Sequence, residues 1–366
     1  MRHAFLGAFF RASGTPPFGV FSVYSKQRPP APYPTPGSKL FGPSGYCDAV
    51  AENGESISSG FLVDKAKLAN IVDLGVKWTR TGVDPFQDDL SHTMGHYAFG
   101  DFDSAQCALT RHDIVPTIAI DTGPVQYDAI DGQFSPKSFP IYKTSGDFAT
   151  WCSAVVRHER ATFTTVSRYT APGNEVNSSP ANFPGGESQI AQYAQACYHA
   201  IKAIQPNAFV YGFELNMDTH RDPVGFVQRM YDLGCKQGTC YDGISIHLSV
   251  RYPSPPADTP CSSYSMRCIA DIQTAAHAPV HMIIGETVYL VPNSVPNETV
   301  KAAAIVAEMN AFAANKYVDG VNYANVDECD LYPPGNYFVG GCLVDSLGTQ
   351  LPGYVALKAL AQSAYR

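Results

Sequence analysis

The side chains of this sequence that are best suited to chemistry belong to two glutamates. Glu175 follows a polar and β-branched run that ends at Tyr169, and Glu286 closes the apolar run at 280–285. A carboxylate at the end of a buried strand loses its hydration, so a purely structural position rarely uses one. Two such groups suit hydrolysis of a glycosidic bond. One protonates the leaving oxygen, and the other attacks the anomeric carbon or guides water to it.

The elements that must position these glutamates follow a repeating pattern. From residue 40 onward, short apolar runs alternate with longer amphipathic segments, which is typical of βα units around a parallel sheet. The predicted strands are 40–46 (with 18–23 as a rival), 76–80, 115–120, 164–169, 209–213, 243–247, 280–286 and 320–324. The predicted helices are 63–74, 102–111, 147–160, 188–204, 223–235, 268–276, 298–314 and 351–364.

Eight strands and eight helices predict an α/β fold, a (β/α)8 TIM barrel, over residues 39–366. A doubly wound sheet is the alternative, but no glycine-rich phosphate loop follows any predicted strand. Residues 1–38 differ from the rest because prolines cluster between Arg28 and Gly37. They are predicted to form an extended arm or linker.

In such a barrel the side chains at the C-terminal strand ends converge on one face. The polar residues at those ends are Arg80, Asp121, Asn174, Glu175, Glu214, His247, Tyr252, Glu286, Tyr323 and Asn325. Arg80 could hold one glutamate ionised, and Asn174 could hydrogen-bond a sugar hydroxyl. The acid needs a raised pKa while the nucleophile stays ionised. Glu214 could support the site from behind its first layer of residues or be solvated, and the solvated position is favoured. His247 fits a cleft role and a hydrogen-bonded core position equally well.

Several motifs together resemble glycoside hydrolase clan A over about residues 60–362. Asn174-Glu175 resembles the end of the clan's fourth strand, and Gly285-Glu286 the end of its seventh. The segments Gly-Val-Lys-Trp-Thr-Arg at 75–80, 95–103, 241–247 and 351–354 resemble the clan's other characteristic runs, in the same order. Families 39 and 5 of the clan are the most similar.

The resemblance implies a retaining β-glycosidase with Glu175 as acid/base and Glu286 as nucleophile. It implies Arg80 and Asn174 as supporting residues and His247 in the cleft, and we add Tyr252, Tyr323 and Asn325 as candidate substrate contacts. Many members carry tryptophan at the end of strand eight, where this chain has Tyr323-Ala-Asn325. Because the chain has only two tryptophans, stacking on sugars would fall to tyrosines.

The composition limits the classes of molecule that this protein is expected to bind. The 366 residues are 45% hydrophobic and 16% charged, with a net charge of −8 and a pI of about 5.6. No basic block is present, which argues against nucleic acid and anionic membranes. No apolar run approaches the roughly 20 residues that span a bilayer. We expect a monomer that acts on a neutral carbohydrate, with no cofactor and no metal ion.

The ten cysteines indicate an oxidising compartment. Neighbourhood along the chain suggests the pairs 47–107, 152–197, 235–240, 261–268 and 329–342, and no Cys-x-x-Cys zinc motif occurs. We therefore expect a secreted or extracytoplasmic protein. The N-terminal ten residues combine a positive start with a short apolar stretch, which fits a degenerate signal peptide and a disordered start equally well.

Two alternatives to a glycosidase remain open from the sequence. One is a carbohydrate-binding barrel that has lost its activity, and the other is a metal-dependent barrel hydrolase.

Overall fold

Seven parallel strands form one sheet, with helices between them. The computed structural model describes residues 65–83, 99–120, 126–128, 133–135, 144–163, 166–178, 183, 185–249, 261, 266–289, 297–323, 341–345 and 347–364. The strands are β1 (Trp78–Val83), β2 (Val115–Ile120), β3 (Gln126–Asp128), β4 (Gln133–Ser135), β5 (Arg168–Ala171), β6 (Phe209–Asn216), β7 (Gly243–His247), β8 (His281–Thr287) and β9 (Val318–Tyr323). The described helices are α1 (Lys65–Leu74), α2 (Gly100–Thr110), α3 (Ser145–Thr162), α4 (Gly186–Ile204), α5 (Pro223–Asp232), α6 (Arg267–Ala275), α7 (Glu298–Ala314) and α8 (Pro352–Ala364).

The sheet order is β1-β2-β5-β6-β7-β8-β9, and every neighbouring pair is parallel. Parallel neighbours joined through helices are the arrangement of a (β/α)8 barrel, so the predicted fold class is confirmed. The first predicted strand, its rival and the predicted arm at 1–38 lie outside the described residues. The short antiparallel pair β3–β4 lies between the predicted strand 115–120 and the predicted helix 147–160, where no element was predicted.

The first described helix packs against the last. The Tyr354 hydroxyl on α8 lies 2.8 Å from Asp73 Oδ2 and 2.9 Å from the Asn70 carbonyl oxygen, and Lys358 Nζ lies 2.6 Å from Asp73 Oδ1. The Lys358 and Tyr354 hydrogen bonds lower the pKa of Asp73. These contacts join residues more than 270 positions apart and bring the two ends of the described βα series together.

Apolar side chains fill both faces of the sheet. All six residues of β2 and all five of β7 are buried, as is expected for parallel strands covered by helices. Trp78 and Trp151, the only tryptophans, are 1% and 0% exposed. Both therefore contribute to the core, which leaves neither available to stack on a sugar.

Disulfides link neighbouring parts of the helical layer. Three predicted pairs are present: Cys152–Cys197 between α3 and α4, Cys235–Cys240, and Cys261–Cys268. Cys107 and Cys342 are also disulfide-bonded, and their predicted partners Cys47 and Cys329 lie outside the described residues. In the part of the chain that the structure describes, no cysteine is free.

No helix within the described ranges is long and apolar enough to cross a membrane.

The Cys152–Cys197 bond should contribute more stability than Cys235–Cys240. It closes a segment of 45 residues, against 5 for the shorter loop. Loop-closure entropy assigns about 4 kcal/mol to the first and about 2 kcal/mol to the second. Replacing both cysteines of a pair by alanine and measuring denaturant unfolding tests this, with the 235/240 double variant as the matched control. An equal or larger loss in the control would contradict the entropic argument.

Candidate active site

Four strands of the sheet bring charged side chains together. Arg80 lies in β1, Glu214 in β6, His247 ends β7, and Glu286 is the next-to-last residue of β8. Glu175 follows β5 in the loop that begins at Pro172. The predicted residues Arg80, Asn174, Glu175, His247 and Glu286 are all joined by hydrogen bonds or ion pairs.

Arg80 connects three of these elements. Its Nη1 donates to Glu286 Oε1 at 2.9 Å, and its Nη2 donates to Asn174 Oδ1 at 3.0 Å. Its Nε donates to Glu214 Oε1 at 2.6 Å, and Nη2 also donates to Glu214 Oε2. The side chain is 1% exposed, so these charge-assisted bonds form almost out of contact with water. The guanidinium therefore fixes the positions of Glu286 and Asn174 together.

Glu214 is not solvated, which corrects the sequence-based expectation. It is 0% exposed, binds Arg80 through both oxygens, and accepts a 2.7 Å hydrogen bond from Thr170 Oγ1. The reason is local: the β6–β7 register shifts between Gly212 and Leu215, and Phe213 and Glu214 have φ of 74° and 42°. A bulge of this kind redirects a side chain.

A signal for this burial is present in the sequence. Glu214 lies between Phe213 and Leu215 in a run of apolar residues, where an unpaired acid would be costly.

Glu175 is surrounded by hydrogen-bond donors. His247 Nδ1 lies 3.0 Å from its Oε1, while Asn216 Nδ2 and Ser178 Oγ donate to its Oε2 at 2.9 and 3.4 Å. Burial raises the pKa of Glu175, but these donors and the charge of His247 outweigh it and set the pKa below its ordinary value. This differs from the raised pKa expected for a catalytic acid.

His247 lies between the two predicted catalytic carboxylates. Its Nδ1 is 3.0 Å from Glu175 Oε1 and 3.6 Å from Glu286 Oε2, and the residue is 8% exposed. Burial lowers the pKa of His247, but the charge of Glu286, the hydrogen bond and charge of Glu175, and the charge of Glu214 together raise it above its ordinary value. His247 is buried and hydrogen-bonded and also lies beside both carboxylates, so it combines features of the two expectations.

Gly285 allows this close packing. A methyl group on Gly285 would lie 2.4 Å from Ser245 Oγ and 3.4 Å from His247 Nε2. A real Cβ does not approach a neighbouring atom as closely as 2.4 Å, so only glycine fits beside β7 here. Gly285 therefore allows β7 to pack closely against β8, directly before Glu286.

Glu175 and Glu286 are close enough to act on one bond. Oxygens of their two carboxylates lie within 4.8 Å of each other, and a nitrogen of His247 lies within the same distance of both. Retaining glycosidases place their two carboxyl groups about 5–5.5 Å apart, whereas inverting enzymes separate them by about 6.5–9.5 Å. Each of these groups is already bonded to a charged neighbour, and we assign no ion to them.

Three other predicted substrate contacts have different outcomes. Tyr252 and Asn325 lie outside the described residues, as does Asp121. Tyr323 is 3% exposed, and its hydroxyl donates to the Gly341 carbonyl at 2.8 Å and accepts from Tyr289 N at 3.3 Å. Its hydroxyl proton is therefore already used in holding the segment at Gly341.

Two asparagines that the sequence analysis missed support the site. Asn216 donates to Glu175, and Asn322 Nδ2 donates to the Gly285 carbonyl at 3.1 Å, next to Glu286. Asn216 follows Glu214 by two residues near the end of a predicted strand, which is the signal that could have identified it. We see no comparable signal for Asn322, which lies inside its strand.

The chain is similar to known proteins in its structure. No protein-family model matches it, and no curated protein matches its sequence. A family 39 glycoside hydrolase from Bacteroides cellulosilyticus superimposes with a TM-score of 0.58 at 16% identity, covering 81% of this chain and 60% of that one. A β-xylosidase from Caulobacter crescentus gives 0.57 at 18% identity, covering 81% and 64%.

An intracellular xylanase from Thermoanaerobacterium saccharolyticum gives a TM-score of 0.56 at 14% identity, covering 91% of this chain and 99% of that one. The chain thus spans less than two thirds of the first two enzymes and nearly all of the third. These structures are barrel glycosidases. They confirm the barrel fold that the resemblance of the motifs to clan A implies.

Proposed function

We propose that this protein is a retaining glycoside hydrolase that cleaves O-glycosidic bonds in a β-linked oligo- or polysaccharide. The observation that carries the proposal is the approach of the Glu175 and Glu286 oxygens to within 4.8 Å, from the loop after β5 and the end of β8. A separation beyond 10 Å would have been incompatible with it.

The reaction would proceed in two displacements. Glu286 attacks the anomeric carbon while Glu175 gives a proton to the departing glycosidic oxygen, which leaves a glycosyl ester on Glu286. Water then attacks that ester, and Glu175 accepts the proton of the water. Arg80 keeps Glu286 Oε1 fixed by its 2.9 Å hydrogen bond, which leaves Oε2 as the attacking atom.

The substrate class is inferred from the site and from the structural neighbours. Asn174 is exposed and its Oδ1 is bound by Arg80, so its Nδ2 donors are available for a sugar hydroxyl. The neighbours include a glucosidase, a β-xylosidase and an exo-β-1,4-mannosidase. A neutral β-linked glycoside suits a cleft of this kind, and the disulfides fit an extracytoplasmic place of action.

Replacing each of the two glutamates should reduce the hydrolytic rate in a different way. Glu286→Ala should lose several orders of magnitude in rate on every glycoside, because no other group forms the ester. Glu175→Ala should lose about 10²–10⁴-fold on substrates with poor leaving groups, and much less on dinitrophenyl glycosides, which need no proton. Rates on aryl glycosides and polysaccharides, with circular dichroism as a control for folding, measure both.

The stereochemistry of the product provides a separate test of the mechanism. NMR of the reaction mixture should show the β-anomer as the first product. A first product of the α-configuration would refute the retaining mechanism.

The same assays separate the two competing functions. Turnover that survives exhaustive chelation removes a metal-dependent hydrolase. An inactive binding barrel instead predicts no turnover by the wild type, with sugar binding retained in Glu175→Gln and Glu286→Gln.

Glu214 should matter to activity through Arg80. In Glu214→Gln the amide cannot accept from both guanidinium nitrogens, so Arg80 loses part of its anchor while most of the volume is kept. Breaking a buried charge pair costs about 3–5 kcal/mol, and we expect a loss of stability near the lower figure because Glu286 remains a partner of Arg80. We also expect kcat to fall about tenfold or more.

Thr170→Val is the matched control for this variant. It removes one hydrogen bond from a neutral hydroxyl to the Glu214 carboxylate and leaves the charge pair intact, so it should cost about 1.5 kcal/mol, the lower figure for a hydrogen bond to a charged group. Denaturant unfolding and steady-state kinetics, both at a temperature where the variants are folded, compare the two. Equal losses would show that the charge of Glu214 is unimportant.

A further inference from the structure

Glu175 lacks an evident way to hold the proton that an acid catalyst must deliver. Its pKa lies below the ordinary value, because His247, Asn216 and Ser178 outweigh the effect of burial. The amide of Asn216 and the hydroxyl of Ser178 do not titrate near neutral pH. Of the three donors around Glu175, only the imidazole of His247 can give up a proton in that range.

The position of His247 suits a transferable proton. Its Nδ1 faces Glu175 Oε1 at 3.0 Å and Glu286 Oε2 at 3.6 Å, so a proton on Nδ1 lies between two carboxylates. The other charges that face this region are Glu214 on β6 and Arg80 on β1, which bind each other. A Cβ on residue 285 would lie 3.4 Å from His247 Nε2, so glycine at this position leaves room for the ring beside β8.

We propose that His247 stores the proton that Glu175 delivers to the glycosidic oxygen. One proton transfer across the 3.0 Å contact between them makes Glu175 the acid and removes the positive charge beside the Glu286 nucleophile. This inference rests on the proposed function and adds to it a residue that acts through Glu175.

The transfer is balanced within the pair. In the free enzyme His247 is an imidazolium and Glu175 a carboxylate. The Nδ1–H bond breaks with its electron pair left on Nδ1, and an Oε1–H bond forms on Glu175. The neutral acid then gives this proton to the glycosidic oxygen as the bond from that oxygen to the anomeric carbon breaks. In the second displacement Glu175 takes a proton from water and returns it to His247.

The shift also changes the surroundings of Glu286. While His247 is charged, a positive group lies 3.6 Å from Glu286 Oε2, the oxygen that Arg80 does not bind. When the proton moves to Glu175, that positive charge disappears, and Oε2 becomes a stronger nucleophile. The same event therefore prepares the acid and the nucleophile.

Substrate binding supplies the trigger. The side chains of Glu175 and Glu286 are 30% and 28% exposed in the free cleft, so water reaches both carboxylates. A bound sugar displaces that water. Loss of solvation disfavours the separated charges of the ion pair relative to the neutral pair, so the proton moves toward Glu175 when the substrate is in place.

His247→Asn tests the proposal, because its amide nitrogen can occupy the position of Nδ1 and donate a hydrogen bond without carrying a transferable proton. We expect kcat/KM on an unactivated glycoside to fall about 10²-fold. The fall on a dinitrophenyl glycoside should be less than tenfold. Ser245→Ala is the matched control, since Ser245 lies against the same glycine but contacts neither glutamate; any loss there should be equal for both substrates. Equal losses in His247→Asn would overturn the proposal.

The pH profile gives a second readout. In the wild type the active pair carries one proton, which is lost only above the raised pKa of His247, so the basic limb should lie above the ordinary value of about 6.5. In His247→Asn, Glu175 must hold the proton alone. The basic limb of the pH profile should then move down by at least about one pH unit, toward the pKa of a carboxylic acid. An unchanged basic limb would refute proton storage on His247.

An NMR titration of the imidazole separates this proposal from the proposed function. In ¹⁵N-histidine-labelled wild type, His247 should be an imidazolium at pH 6, and its pKa should fall in Glu175→Gln and in Glu286→Gln. A neutral ring at pH 6 would overturn the proposal even if the enzyme is active. A charged ring in a protein that hydrolyses no glycoside would instead refute the proposed function, while the charge arrangement would stand.

Discussion

The site depends on one buried cation. The Arg80 guanidinium uses its three nitrogens on Glu214, Glu286 and Asn174, which come from three different parts of the barrel. An arginine presents its donors in a fixed planar arrangement, so fixing one partner also fixes the direction of the others. Glu214 supplies that anchor; it is fully buried and accepts a further hydrogen bond from Thr170, which is also fully buried. The geometry of Glu286 is therefore set by residues that would not contact the substrate.

The charges of the cluster explain why its protons can move. Three carboxylates, Glu175, Glu214 and Glu286, surround Arg80 and His247. Arg80 keeps its proton at any accessible pH, which leaves His247 as the only adjustable cation of the five. The donors that favour the charged form of Glu175 would hinder an isolated acid. In the free site these donors hold the shared proton on His247, so its transfer to Glu175 depends on the loss of solvation when a sugar binds.

The sequence predicted the parts of the structure that local patterns govern. Apolar periodicity predicted the barrel, the bounds of β2, β7 and α7, and the strand ends that carry Glu175 and Glu286. It did not predict the burial of Glu214, because a bulge depends on pairing between strands rather than on composition. Nor did it predict the lowered pKa of Glu175, since the residues that lower it come from β6, β7 and a turn.

Two of the three carboxylates of the site stand on strained backbone. Glu175 and Glu214 have φ of 46° and 42°, a left-handed conformation that costs a residue with a side chain roughly 1–2 kcal/mol. Such strain persists only where surrounding contacts enforce it. Glu214 is held by Arg80 and Thr170, and Glu175 by His247 and Asn216, so each strained acid is bound by at least two neighbours. The hydrogen bonds that set the charges of this site therefore also keep its backbone in a shape that it would not adopt alone.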